Sequence, residues 1–338
     1  MTTMGDVARL AGVSASTVSH VLNGTRNVNA ATRLRVEAAI EEVGYRRNGV
    51  ARSLAAGRTH TVGLSISALT NPYFGSLVHA VERALSDAGY VLIVGDSHDD
   101  VSSEQRVTGS LLDRQVDGMI VAPAAGSERT TLPEITRSRT PMVLIDRGED
   151  VGFDRIVPEN FASAKGLTDH LLDLGHHRIA VVRGLAGISS TIERFDGHCA
   201  ALTARGITVD PRLVVDGESS TDVAEREVRA LMSRADRPTA LVSLNNAMTI
   251  GTLKAIRGLG LSIPQDVAFV CYDDFEWSDL FEPRLTAAAQ DVETIGVTAV
   301  ELLLARIRGS EEPPGHIRVP TTFHHRNSCG CTSAPVIR

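Results

Sequence analysis

Met4-Gly-Asp-Val-Ala-Arg-Leu-Ala-Gly-Val-Ser-Ala-Ser-Thr-Val-Ser-His-Val-Leu-Asn23 reads as two short helices joined by a tight turn. Val7, Ala8 and Ala11 share one helical face, and Gly12 and Val13 form the turn. Ser14 suits the N-cap of the second helix, whose inward side is Val18, Val21 and Leu22. The outward positions Ala15, Ser16, Thr17, Ser19 and His20 are small or polar. A helix that must enter a major groove and meet base edges needs such a face. Two helices with glycine in the joining turn match the helix-turn-helix unit, and a plain helical hairpin with a solvated face is the bland alternative.

The charge distribution supports the first reading. The chain has 338 residues, 43% hydrophobic and 22% charged, with a formal net charge of -7. Residues 1–60 carry eight arginines, no lysine and four acidic residues, a net +4, which leaves -11 for the remainder. A basic head on an acidic body has a partner that the body does not share. No apolar run approaches the roughly 20 residues that span a bilayer. No charged and then apolar secretory leader opens the sequence. Four scattered cysteines are too few for a disulfide framework, so a reducing, cytoplasmic setting is expected. His324, His325, Cys329 and Cys331 cluster near the end, but C-x-C beside adjacent histidines is not a standard zinc spacing. Neither a metal nor a cofactor is expected.

Asn29 should cap a third helix over 30–42, with Leu34, Val36, Ala38, Ala39, Ile40 and Val43 on its apolar side and Gly44 ending it. Residues 46–58 are short, basic and alanine-rich, with too little apolar surface for a core of their own. They read as a linker that becomes helical only against a partner. From His60 the pattern changes. Apolar runs at 62–66, 90–94, 118–122, 142–145, 179–182, 240–244 and 267–271 alternate with amphipathic segments at 77–88, 104–114, 162–174, 222–232 and 248–259. This βαβα rhythm predicts an α/β body with parallel sheets covered on both faces, more readily two sheets than one. The segment 141–157 is expected to lead into the second lobe.

Ligands of open parallel sheets bind at the carboxyl ends of the strands. Polar residues recur there: Asn71, Asp96, Asp146-Arg147, Asn245-Asn246 and Asp273-Asp274. Each also suits an ordinary cap or turn, and recurrence in both halves favours a binding edge. No nucleophile elbow, Walker loop, zinc-protease motif or dinucleotide fingerprint is present, so an enzyme is not expected.

Across residues 3–328 the chain resembles the LacI/GalR family of bacterial transcription regulators. The carriers are Asp6-Val-Ala-x-x-Ala-Gly-Val-Ser-x-x-Thr-Val-Ser-x-Val-Leu-Asn23, Ile40-x-x-x-Gly-Tyr45 and Val50-Ala-Arg-Ser-Leu54 in the head. In the body they are Asn71-Pro-Tyr-Phe74, Ile145-Asp-Arg147, Arg194-x-x-Gly197, Tyr272-Asp-Asp274 and Pro283-x-Leu-Thr286. The resemblance implies a helix-turn-helix head over 1–47, a hinge helix over 48–58, and an effector-binding and dimerisation domain over 59–338. The body would be two-lobed and similar to periplasmic binding proteins, crossing between lobes near 145–160 and 287–292, with the C-terminal segment returning between them. It implies a homodimer on a near-palindromic DNA operator, acting as a repressor. A chain that ends without a heptad extension favours a dimer over a tetramer.

Carried over by position, Ala15, Ser16 and His20 fall where bases are read, and Ser14, Thr17, Ser19, Asn23, Asn27 and Tyr45 where the DNA backbone is touched. Ala51 and Leu54 match the minor-groove hinge. Phe74, Asp146, Arg147, Ser190, Arg194, Asn245, Asp273 and Gln290 fall on effector positions, with Trp277 as a further stacking candidate. Three residues depart from the pattern: Asn246 replaces a frequent aspartate, Ser219 a frequent aromatic, and Ile188 the arginine of purine-binding members. The last two favour a sugar effector over a nucleoside. The competing readings are a regulator that answers to a phosphoprotein and a plain solute-binding protein. The latter leaves the basic head unexplained.

Overall fold

Side-chain caps set the first three helices. The computed structural model describes residues 2–24, 26–45, 58–148, 152–280 and 282–331. α1 (Met4–Ala11) opens on a reciprocal box, in which Thr3 N donates to Asp6 Oδ2 at 2.9 Å and Asp6 N to Thr3 Oγ1 at 3.3 Å. Gly12 closes it at φ +63°, where a side chain would be strained, and Val13 N donates to Ala8 O at 3.0 Å. α2 (Ala15–Asn23) is capped by Ser14, which accepts from Thr17 N at 3.1 Å. Asn29 caps α3 (Ala30–Val43) through Thr32 N at 2.7 Å. Val7, Ala8, Ala11, Val18, Val36 and Ala39 form the buried centre. Leu34, read as apolar-face, is 66% exposed. The inward stripe of α3 runs through Val36 and Ala39 instead. The chain divides into two compact units, Met1–Thr59 and His60–Arg338.

In the second unit each lobe is built on one six-stranded sheet. The first has the order β11-β5-β4-β3-β1-β2, from β1 (Thr61–Ile66), β2 (Val91–Asp96), β3 (Gly118–Val121), β4 (Met142–Ile145), β5 (Asp154–Pro158) and β11 (His316–Val319), all parallel. The second has the order β12-β10-β9-β8-β6-β7, from β6 (Ile179–Arg183), β7 (Val214–Asp216), β8 (Ala240–Ser243), β9 (Ala268–Tyr272), β10 (Thr286–Gln290) and β12 (Thr321–His324). Only β12 runs antiparallel there. α4 (Pro72–Asp87), α5 (Val101–Asp113), α6 (Thr131–Ser138) and α11 (Val292–Ile307) cover the first sheet. α7 (Phe161–Asp173), α8 (Ser189–Ala204), α9 (Thr221–Met232) and α10 (Asn246–Gly258) cover the second.

Separate apolar cores fill the lobes. Close helix contacts require glycine at several places. A Cβ on Gly197 would meet Phe161 O at 2.3 Å, and one on Gly251 would meet Thr221 O at 2.2 Å. The chain crosses between lobes three times: from β5 to α7, from β10 to α11, and from β11 to β12. The segment 141–157 supplies β4 and β5 of the first lobe and leads directly into the first of these crossings.

His198 on α8 is 1% exposed and meets Thr168 Oγ1 through Nδ1 at 3.0 Å. Burial pushes its pKa down to about 4. The unfolded chain therefore binds a proton that the folded chain refuses. Stability falls as pH drops from about 6.5 toward 4, and between pH 8 and pH 5 this group removes about 2 kcal/mol. Urea midpoints at the two pH values should show that loss, and His198→Gln should flatten it. An unchanged slope in the variant would assign the loss elsewhere.

Candidate functional site

The head offers one face. Ala15 and Ser16 are exposed, and Thr17, Ser19 and His20 are half-buried, on the side of α2 away from Val18. Ser14 is exposed, and its hydroxyl lies 2.8 Å from Ser16 Oγ and 2.9 Å from Thr17 Oγ1. Asn27 is exposed, while Tyr45 is half-buried against the head core. The Asn23 side chain, Ala51, Leu54 and the hinge expected at 48–58 (apart from Arg58) lie outside the described residues.

The body holds a cleft of about 410 Å³ at the carboxyl ends of the strands of both lobes. It gathers eight of the nine effector candidates: Phe74, Asp146, Arg147, Ser190, Arg194, Asn245, Asp273 and Gln290. Trp277 is not among its lining. Its ring stacks on Phe275 at 4.2 Å and packs against the second-lobe core, beside a different cavity. The chain turns sharply at Asp273, which carries Trp277 away from the cleft.

Two aspartates occupy matching places, each directly after a strand. Asp146 follows β4 at φ +65°, and Asp273 follows β9 at φ +75°. Non-glycine residues held in the left-handed region cluster at functional sites. Asp273 is 4% exposed and accepts from Gln290 Nε2 at 2.5 Å and from Asn246 N at 3.1 Å. Burial raises its pKa, and Arg194 opposes that shift. Arg147 pairs with Asp99, and its Nε lies 3.8 Å from Asp146 Oδ2.

Arg194 is 6% exposed and held on three sides. Nε donates to Asn160 Oδ1 at 2.8 Å, Nη1 donates to Leu244 O at 2.8 Å, and the guanidinium lies 3.7 Å over the Tyr272 ring. Nη2 has no partner among the described residues. Asn160 also donates to Glu193 Oε2 at 3.1 Å, and Glu193 receives Arg318 of β11 at 2.9 and 2.6 Å. The cleft arginine is thus tied to two of the strand crossings.

Several polar atoms in this region are buried without a hydrogen-bond partner, among them Arg147 Nε, Asn246 Oδ1 and Gln290 Oε1. Such atoms are costly unless something satisfies them. Contacts also bridge the lobes directly. Asn246 Nδ2 donates to Asn71 Oδ1 at 3.3 Å, and Gly148 N donates to Ser189 Oγ at 3.1 Å. An aspartate at 246 could not make the first, so the departure from the family pattern has a structural use.

Sequence reasoning missed Asn160, Tyr73, Asp99 and Tyr272. Tyr73 and Tyr272 were within reach, since they lie inside quoted motifs. Asn160 carried no local signal, because its role depends on Arg194, 34 positions away.

Residues 3–48 match the family described as bacterial regulatory proteins, lacI family, and residues 168–329 match the periplasmic binding protein-like domain. The chain is 34% identical over 309 residues to the HTH-type transcriptional repressor PurR of Aliivibrio salmonicida, covering 91% of this chain and 93% of that one. It is 35% identical over 308 residues to the ribose operon repressor of Escherichia coli, again covering 91% and 93%. Among solved structures, the Lac repressor dimer bound to operator and the anti-inducer ONPF superposes with a TM-score of 0.87 at 28% identity, covering 97% and 99%. The regulator CelR in complex with cellobiose superposes at 0.73 and 30%, covering 97% and 100%.

A helix-turn-helix head joined to a two-lobed, cleft-bearing body defines a class: DNA-binding regulators governed by a small-molecule effector. The chain belongs to the LacI family of bacterial transcription regulators. No helix among the described residues is long and apolar enough to cross a membrane.

Proposed function

We propose that the protein is a repressor that binds a two-fold symmetric operator as a homodimer, and that its effector is a sugar or sugar derivative held between the lobes. The observation that carries the effector reading is the set of buried Arg194, buried Asp273 and half-buried Asn245 around one cleft. Adjacent sugar hydroxyls both donate and accept. A carboxylate takes two such donors, a guanidinium donates to neighbouring oxygens, and an amide does either. Asn245 Oδ1 already caps α10 through Met248 N at 2.9 Å, which leaves its amide nitrogen for the ligand. Phe74 lines the cleft, and its ring would cover an apolar sugar face. Ser219 and Ile188 both line the cleft, so the wall lacks an aromatic and an arginine at those places, against a nucleobase. The repressor PurR and the ribose operon repressor match this chain at 34% and 35% identity, so the ligand reading rests on the cleft residues.

Coupling follows from the contacts between lobes. A ligand that engages residues of both lobes changes the balance at Asn71–Asn246, Gly148–Ser189 and Glu193–Arg318. The domain scheme of a head, a hinge over 48–58 and a dimerising body supplies the route to DNA. A thermal-shift panel of sugars, nucleosides and nucleobases tests the ligand class. A sugar at 100 times its Kd should stabilise the protein by about 2.7 kcal/mol. Stabilisation by nucleobases alone would overturn the sugar assignment.

In the head, Ala15, Ser16 and His20 read bases, and Ser14, Thr17, Ser19, Asn23, Asn27 and Tyr45 meet the backbone. A neutral imidazole bonds guanine N7 or O6 but cannot fork across both as arginine does. His20→Arg should therefore change the preferred base at one position of each half-site in a random-site selection. An unchanged logo would remove His20 from the reading set.

A further inference from the structure

The end of the second lobe away from the cleft gathers four side chains of another chemistry. His170 sits in the last turn of α7, and His325, Cys329 and Cys331 follow β12. One ligand atom from each lies within 4.8 Å of all the others. Cys331 Sγ is 3.8 Å from His170 Nε2, and the two imidazoles meet edge to face with centroids 5.0 Å apart. Cys329 is 1% exposed, and His325 Nε2 is buried without a hydrogen-bond partner. β12 runs antiparallel to β10 with His324 opposite Ala287 and Thr321 opposite Gln290, so His325 lies at the start of β10, at the end opposite Gln290 and the cleft.

We propose that His170, His325, Cys329 and Cys331 form a tetrahedral site for Zn²⁺ that fastens the C-terminal segment to α7. Two imidazoles and two thiolates are a zinc donor set and a poor one for magnesium or calcium, which want oxygen. Bond lengths near 2.0–2.3 Å put tetrahedral ligand atoms about 3.4–3.8 Å apart, so contraction by about 1 Å completes the shell. The segment is already pinned close by. Ser328 Oγ donates to Phe269 O at 2.7 Å and accepts from Thr286 N at 2.8 Å, and Arg284 N donates to Asn327 Oδ1 at 2.6 Å. Four protein ligands leave no open position, so the metal is structural. The sequence cluster at the chain end contained three of the ligands and one bystander. His324 lies 3.0 Å from Asp274 Oδ2 instead, and the fourth ligand comes from a helix over 150 residues earlier.

Tag-free full-length protein, purified without chelator, provides the test. Elemental analysis should find one zinc per chain. After removal and reloading with Co²⁺ alone, the visible spectrum should show tetrahedral ligand-field bands and a thiolate charge-transfer band. His170→Ala and Cys331→Ser should each lose the stoichiometric metal and that spectrum, while His324→Ala keeps both. Metal-free protein that also fails to take up Co²⁺ would overturn the proposal. So would an octahedral spectrum, a Cys329–Cys331 disulfide in the purified chain, or equal loss in His324→Ala.

Discussion

Arg194→Lys should weaken effector binding about 100-fold or more and leave operator binding without effector unchanged. Lysine keeps the positive charge beside Asp273 and Asp146, so the field of the cleft persists. It cannot hold Asn160, Leu244 O and a ligand together, because it lacks the planar fork. Losing charged hydrogen bonds worth about 1.5–3 kcal/mol each gives the expected factor when two are lost. Alanine is the poorer probe. It would leave buried Asn160 Oδ1 and Leu244 O unpaired at about 1–3 kcal/mol each, mixing stability with binding. A structural role alone would have Arg194 and Asp273 pair with each other across the cleft. The two make no ion pair here. Asp273 takes Gln290 and Asn246, and Arg194 turns to Asn160 and Leu244 O. Calorimetric titration of the variant with the effector settles it, and normal affinity would remove Arg194 from the ligand contacts.

Operator affinity should fall about a thousandfold between 50 and 200 mM salt. Each neutralised phosphate contributes about -0.9 to the slope of log K against log salt, and three per head in a dimer give about -5. Arg26, Arg33 and Arg35 are exposed and suit that work. Arg9 is also exposed but shares its guanidinium with Asp6 at 2.8 Å, so its contribution is smaller. The acidic body opposes DNA elsewhere, which concentrates binding in the head. A slope shallower than about -2 would contradict the two-headed grip.

The head was the most legible part of the sequence because its information is local. Ser14 and Asn29 cap the residues that follow them, and Gly12 and Gly44 stop helices at left-handed positions. The buried runs of β1, β3, β4, β8 and β9 were equally plain. β10 was not: Thr-Ala-Ala-Ala-Gln suits a helix as well as a strand, and only pairing with β9 and β12 settles it. β11 lies at a sheet edge with three exposed residues, so it shows no buried face to read.

In the cleft, residues tied to strand ends came through, because the parallel topology fixes where strands finish. Trp277 went astray through proximity in sequence, since four residues after a left-handed turn point elsewhere. Asn160 and His170 were invisible because their partners are distant in the chain.

The proposed function links ligand in the cleft to DNA on the head. Fluorescence anisotropy of a selected symmetric operator, titrated with and without the effector, measures that linkage directly. A shift in operator affinity of about 5–150-fold is expected with the native chain and none with Arg194→Lys. Operator affinity that ignores every ligand stabilising the body, or a shift that survives intact in Arg194→Lys, would contradict it.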